Sequence, residues 1–574
     1  MQKPRITAYL ALLLLAGCIG KNAAISENKE EPVEKQVAKT RAPDADLPAS
    51  APQIVFDTEK VVVTGKRAAL SQLISTAENR NIRFAREVYY REPTRENYRE
   101  FKQNGIKLVN DAPVSTFSID VDTASYSNVR RFLNQGVLPD RDAIRVEELV
   151  NYFSYNYPVP ENRADAFSVY TELGPSPWHS DRKLLHIGLK GFAIDSKSTP
   201  DSNLVFLIDV SGSMRSPGKL ELLVPALKML VDKLRKQDRI SIAVYAGAAG
   251  TVLEPTSGAD TSKIYAALDQ LAGGGSTNGG AGIRLAYSLA RKAFIQGGIN
   301  RVILATDGDF NVGTTDEKSL KTLIEQERKS GVSLTVLGFG RGNYNDALMQ
   351  QLAQTGNGNA AYIDNINEAR KVLVEELSST LHTIANDVKI QIEFNPQTVS
   401  EYRLIGYETR HLEREDFNND KVDAGDIGAG HTVTALYEIT MAGSEGAVID
   451  PLRYGTPILS SNNSETLGSN ELAFIKLRYK PKLDARSILA TFPVELSDMH
   501  KQIDSTSDSY RFSAAVAAFG QILKGGVYTD NFTLKDTLTL AQSAKGSDEY
   551  GYRSEFINLV RTANVLNLPQ LSHR

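Results

Sequence analysis

The sequence predicts an α/β core, a doubly wound and mostly parallel sheet, inserted in an antiparallel β-sandwich, with an α+β segment before it and helices after it. Three observations carry this. Asn203–Ser213, NLVFLIDVSGS, contains the continuous apolar run LVFLI, which suits a central strand covered on both faces. Between 201 and 386, apolar strands alternate with helical periods, the order of a doubly wound sheet. On either side of that core, 166–189 and 388–479 carry segments that alternate apolar and polar residues, as antiparallel strands with one solvated face do.

The core strand runs out into a loop bearing Asp209, Ser211 and Ser213, one carboxylate and two hydroxyls at alternating positions. In open α/β sheets, ligands bind at loops beyond the carboxyl ends of strands. Hard oxygen donors suit Mg²⁺, which takes octahedral geometry and keeps positions for water or a ligand. One loop cannot complete an octahedron, so further donors must come from other strand ends. Gly273–Gly280, GGGSTNGG, offers Thr277, and Arg301–Gly308, RVILATDG, is a second apolar strand ending in Asp307. The Gly-rich loop lacks the Lys-Ser/Thr of a phosphate-binding P-loop. Asp209 as a helix cap, with Ser211 and Ser213 as turn residues, is the blander alternative.

Asp-x-Ser-x-Ser, then a Thr in a Gly-rich loop, then a strand-terminal Thr-Asp-Gly, resembles the metal-ion-dependent adhesion site of von Willebrand factor type A domains. The resemblance implies that Asp209, Ser211, Ser213, Thr277 and Asp307 are the metal set. It implies Mg²⁺, with Mn²⁺ or Ca²⁺ as alternatives, and a partner Asp or Glu completing the coordination. Asp309 and Asn311 follow the motif and could shape its rim.

Within 201–386 the expected strands are 203–209, 239–246, 251–254, 301–306, 332–339 and 360–363. The expected helices are 218–236, 260–271, 280–296, 316–330, 344–354 and 367–385. The remainder divides as follows. Residues 1–17 read as an export signal, with Lys3 and Arg5 before a short apolar run. Leu15-Ala16-Gly17-Cys18 resembles a bacterial lipobox, which implies lipidation at Cys18, the one cysteine of the chain. Ile19 rather than Asp after it favours the outer over the inner membrane, by resemblance to enterobacterial sorting. Residues 18–66 are polar and without apolar period, a disordered tether. Val61–Gly65 within it resembles the TonB-contacting box of outer-membrane transporters; a small edge strand is the alternative.

Residues 67–165 are expected to form an N-terminal domain. Its STFSIDVDTASYS should be a strand followed by a cap at Asp122-Thr123, and Ala143–Phe153 a helix. Asp120, Asp122 and Ser125 could otherwise mark a second metal site. Residues 166–200 and 387–492 supply the sandwich strands, and 493–574 a helical C-terminal domain. Asp416–Asp426 is rich in oxygen donors but lacks EF-hand spacing, so a connecting loop competes with a calcium loop. The phrases PVSTFSIDVDTASYSNVRRFLN, RVEELVNYFSYNYP, YRLIGYETR and DAGDIGAGHTVTALYEI resemble the domains that flank the type A domain in YfbK-like bacterial lipoproteins.

The formal net charge of −4 gives no nucleic-acid surface. No nucleophile stands with a base and an orienting acid in recognisable order, and the seven His show no HExxH spacing. The expectation is therefore a non-enzymatic, membrane-tethered binding protein of the cell envelope, whose partner is an envelope or extracellular protein offering Asp or Glu. A structural scaffold and a metal-assisted hydrolase are the alternatives.

Overall fold

The computed structural model describes residues 98, 100–119, 122–162, 165–194, 200–276, 278–308, 317–340, 345–376, 382–422, 424–450, 470–482 and 485–567. The expectations for the signal, Cys18, the tether, Val61–Gly65, Asp120, Thr277, Asp309 and Asn311 lie outside them.

The central sheet has six strands in the order Ala360–Ile363, Ser333–Phe339, Ile299–Thr306, Ser202–Asp209, Arg239–Tyr245 and Ala249–Ser257. All pairs are parallel except the last. Ser202–Asp209 lies in the middle and is buried throughout. Successive side chains of a strand point to opposite faces, and both faces here are covered. Val205 and Leu207 pack with Ile283, Ala286, Leu320, Ile324 and Leu352, from the helices Gly279–Lys292, Glu317–Lys329 and Asp346–Thr355. Leu204, Phe206 and Ile208 pack with Leu223, Leu227, Leu230, Ile264 and Leu268, from Leu220–Val231 and Thr261–Asp269. The unbroken apolar run is the sequence consequence of two apolar environments.

The sandwich consists of two sheets around one core. One has the order Lys107–Leu108, Val399–Ile405, Thr432–Met441, Arg182–Gly191, Phe167–Pro175. The other runs Gly425–Gly428, Thr383–Phe394, Glu471–Lys480, Ile488–Glu495, with Val114–Ser118 also paired to Thr383–Phe394. Leu185, Ile187 and Val433 of the first sheet meet Ile390, Ile392 and Ile475 of the second. The chain leaves this sandwich after Gly191, builds the parallel sheet, and returns at Thr383.

Several local expectations change. The helix expected over 367–385 is Ile366–Arg370 followed by a π turn at Lys371–Glu375, and the chain is strand from Thr383. Within the segment 67–165, Lys107–Leu108 and Val114–Ser118 pair into the two sandwich sheets. Its helices Ala124–Asn134 and Val146–Asn151 share a core with the C-terminal helices Asp508–Leu523, Leu534–Ser543 and Tyr552–Asn567, through Val129, Leu149, Phe153, Phe512, Phe519 and Phe556. Strand alternation shows that a segment pairs but not with what, and a helix period shows an apolar face but not its cover. Thr123 stands at the expected N-cap position of Ala124–Asn134, but its side chain makes no capping hydrogen bond. Asp122 instead accepts the Ala360 N–H at 3.0 Å and pairs with Arg410 at 3.2 Å. Ser125 Oγ donates to the Ala143 carbonyl at 2.6 Å. No described helix is long and apolar enough to cross a membrane.

Candidate functional site

Asp209 ends the central strand and Asp307 follows the neighbouring strand Ile299–Thr306. The two strands are parallel and in register, Ile208 beside Ala305, so both carboxylates emerge at the same edge of the sheet. Both residues are fully buried. Asp209 Oδ1 accepts the Ser211 N–H at 2.8 Å, which folds the DxSxS loop back over its own carboxylate. Oδ2 accepts from the Tyr245 hydroxyl at 3.2 Å and the Thr306 hydroxyl at 3.3 Å. Burial raises the Asp209 carboxyl above its ordinary range, the Ser211 bonds lower it, and the Asp307 charge raises it further. Burial, then the Asp209 charge, push the Tyr245 hydroxyl well up, so it stays protonated and donates.

Ser211 Oγ and Ser213 Oγ are 3.0 Å apart. That is a hydrogen-bond distance. It is also the separation of adjacent ligands in an octahedron with bonds of about 2.1 Å, the Mg²⁺ value. The donor set of carboxylate and hydroxyl oxygens fits a hard divalent cation, and Asp209, Ser211 and Ser213 would hold it with Asp307 alongside. The Gly-rich loop is sewn to the same edge: Gly212 N–H donates to the Gly275 carbonyl at 3.0 Å, and Gly274 N–H to the Val210 carbonyl at 2.6 Å. Arg215 Nε also donates to the Gly273 carbonyl. A Cβ on Gly273 would lie 2.8 Å from Arg215 Cγ, so this close approach needs glycine. Of the five residues expected from sequence, Asp209, Ser211, Ser213 and Asp307 thus come to one strand edge, and Thr277 lies outside the described residues.

Lys219 was not foreseen. Its Nζ donates to Asp307 Oδ2 at 2.8 Å, with both side chains buried. Lys219 is the residue before the helix Leu220–Val231, where a cation opposes the helix dipole. That local misfit was the available signal that Lys219 answers to a distant carboxylate. Thr306 and Tyr245, also unforeseen, orient Asp209 from the two neighbouring strands.

In the Asp416–Asp426 segment, of which Asp423 lies outside the described residues, Asp416 and Asp426 are engaged separately. Asp416 closes a capping box with Glu413 on Arg414–Asn418, and Asp426 Oδ1 accepts the Asp387 N–H at 3.1 Å. Among the described residues no three His, Cys, Asp or Glu side chains cluster closely enough to hold a metal by themselves.

Residues 203–376 match the model of the von Willebrand factor type A domain, and 92–186 match a model described as von Willebrand factor. Residues 379–566 match a model described as "Uncharacterized protein YfbK, C-terminal". The chain is 48% identical over 486 residues to uncharacterized protein YfbK of Escherichia coli (strain K12), covering 84% of this chain and 83% of that one. It is 34% identical over 159 residues to inter-alpha-trypsin inhibitor heavy chain H4 of Bos taurus, 26% of this chain and 17% of that one. Among solved structures, a von Willebrand factor type A protein from Catenulispora acidiphila aligns with a TM-score of 0.40 at 13% identity, covering 71% of this chain and 91% of that one. With a type A domain at its centre and a matching C-terminal domain after it, the chain belongs to the YfbK family.

Proposed function

We propose that the protein is a membrane-tethered, metal-dependent binding lipoprotein of the cell envelope that captures an acidic residue of a partner protein at the edge carrying Asp209 and Asp307. Asp209, Ser211, Ser213 and Thr277 would hold Mg²⁺, and a bound divalent ion would supply an electrophilic position for the partner's carboxylate. The observation that carries the reading is the charge balance at this edge. Two buried carboxylates and one buried ammonium leave one negative charge; a divalent cation turns that into one positive charge, which favours an anionic ligand. Arg215, exposed beside the Gly-rich loop, adds to the positive rim. The tether rests on the lipobox-like LAGC ending in Cys18, and the outer-membrane placement on Ile19 in place of Asp after it.

The test is capture of a purified-envelope partner by the full chain, with Mg²⁺ or with chelator. Capture that needs Mg²⁺ and is lost in Asp209→Ala, with the fold intact by circular dichroism, supports the reading. Capture indifferent to both sinks it in favour of a scaffold. One observation favours that second reading: the Lys219–Asp307 pair satisfies Asp307 without any metal. Palmitate labelling of the native protein, abolished by Cys18→Ser, tests the anchor. We read the protein as non-enzymatic, because the titratable neighbours Lys219 and Tyr245 are already bonded to the carboxylates they face and thus offer no general base.

A further inference from the structure

Arg301 begins at the opposite end of the strand that delivers Asp307. Six residues at about 3.3 Å each place the two roughly 20 Å apart along the sheet. There the parallel sheet faces the sandwich, and a cavity of about 290 Å³ lies between them. Arg301 and Thr335 line it from the parallel sheet, Asp426 and His431 from the sandwich, and Asp122 and Arg410 from the segments beside it.

Arg301 is only 4% exposed. Its Nη1 donates to Thr335 Oγ1 at 2.7 Å. Its Nε is buried and has no hydrogen-bond partner. Among the described residues no carboxylate lies within ion-pair distance of the guanidinium. The acids around the cavity are engaged elsewhere. Asp122 pairs with Arg410, Glu376 with Lys371, and Asp426 accepts the Asp387 N–H. Burial lowers the Arg301 guanidinium to about 10 and the more distant Asp426 charge raises it, an environment that disfavours the cation without neutralising it. A buried, unpaired charge with an unmet donor is costly to keep. Arg presents a planar fork of donors that matches carboxylate and phosphate oxygens.

We propose that this cavity is a binding site for a small oxyanion, a carboxylate or phosphate group, held by Arg301 with Thr335. The ligand would lie between the parallel sheet and its host sandwich, away from the edge that carries Asp209. The Asp426 charge restricts it to compact anions. This inference is independent of metal binding at the strand ends.

The test is isothermal titration of the full chain with inorganic phosphate, succinate and glycine, each in chelator so that the strand-end site plays no part. Phosphate or succinate should bind, and Arg301→Gln should weaken that binding about tenfold or more, the loss expected for a charge-assisted pair. Asp426→Asn removes the repelling charge, keeps the acceptor for Asp387 N–H, and should tighten binding. It serves as the second variant should Arg301→Gln fail to fold. Preference between phosphate and succinate identifies the head group, and binding of glycine alone would replace the oxyanion by a zwitterion and overturn the assignment. Absence of binding by all three at millimolar concentration, or affinities unmoved in both variants, overturns it as well.

Discussion

Lys219 Nζ lies 2.8 Å from Asp307 Oδ2, a buried ion pair that joins the start of one helix to the end of a strand 88 residues later. The pair sits beside Asp209, so the described strand edge carries its own cation before any metal is considered. It sets both the stability of the site and the charge a ligand would meet there.

Replacing Lys219 by Gln leaves Asp307 buried without its cation. Removing one member of a buried pair costs about 3–5 kcal/mol, and urea denaturation in chelator should show a loss of that order. Because a divalent ion can stand in for the missing charge, millimolar Mg²⁺ should raise the melting temperature of Lys219→Gln by more than that of the unaltered protein. An equal Mg²⁺ response in both would separate Lys219 from the metal set.

Gly340 has φ of +78°, and a Cβ there would lie 2.2 Å from Lys219 Cε. Gly340→Ala therefore adds left-handed strain of about 1–2 kcal/mol and pushes the ammonium off Asp307. Its cost should be distinctly smaller in a Lys219→Ala background, which removes the Cγ, Cδ and Cε that the new Cβ would meet, than alone, a coupling that a double-mutant cycle measures. Additive costs would mean that the Lys219 stem moves aside freely.

Arg130 is fully buried and binds Asp364, Glu368 at 2.7 Å and Glu555 at 3.0 Å, with the Tyr152 hydroxyl at 2.9 Å. These residues come from the N-terminal segment, the end of the type A domain and the last helix. Arg130→Met should cost about 3–5 kcal/mol in denaturant. Glu555→Gln should cost about 1 kcal/mol or less, because that side chain is 30% exposed. Comparable losses for the two would show that the acids, not the guanidinium, organise the junction.

His186 is buried between the Tyr157 hydroxyl at 2.6 Å and Ser513 Oγ at 3.0 Å, and burial lowers it to about 4. Its folded pKa is below the unfolded 6.5, so it stays neutral in the fold and takes up a proton on unfolding. Its contribution is present above about pH 6.5 and is lost as pH falls toward 4, by roughly 3 kcal/mol in full. Glu147 works the other way. Burial, then Glu408, raise it to about 7, so its contribution is lost as pH rises from the unfolded value toward 7. The His186 share is therefore read as the difference between the unaltered protein and His186→Gln. Between pH 7 and pH 4 the variant should lose less stability, and parallel profiles would rule the assignment out.

What could be read along the chain was whatever depends on near neighbours. LVFLI announces a strand with two apolar faces, RVILATDG announces its partner, and the alternation in VKIQIEF and LAFIKLRYK announces sandwich strands, because side-chain direction repeats with a period of two whatever the strand pairs with. The DxSxS loop and the strand-terminal Asp307 were legible for the same reason, since parallel strands in a doubly wound sheet deliver their ends to one edge. Tertiary structure alone decided the partners. Val114–Ser118 pairs with Thr383–Phe394, Arg130 meets Asp364, Lys219 meets Asp307, and Arg301 is left facing a cavity with no ion-pair partner among the described residues. These are through-space relations between residues far apart in sequence, set by which faces pack together, and no local period encodes them.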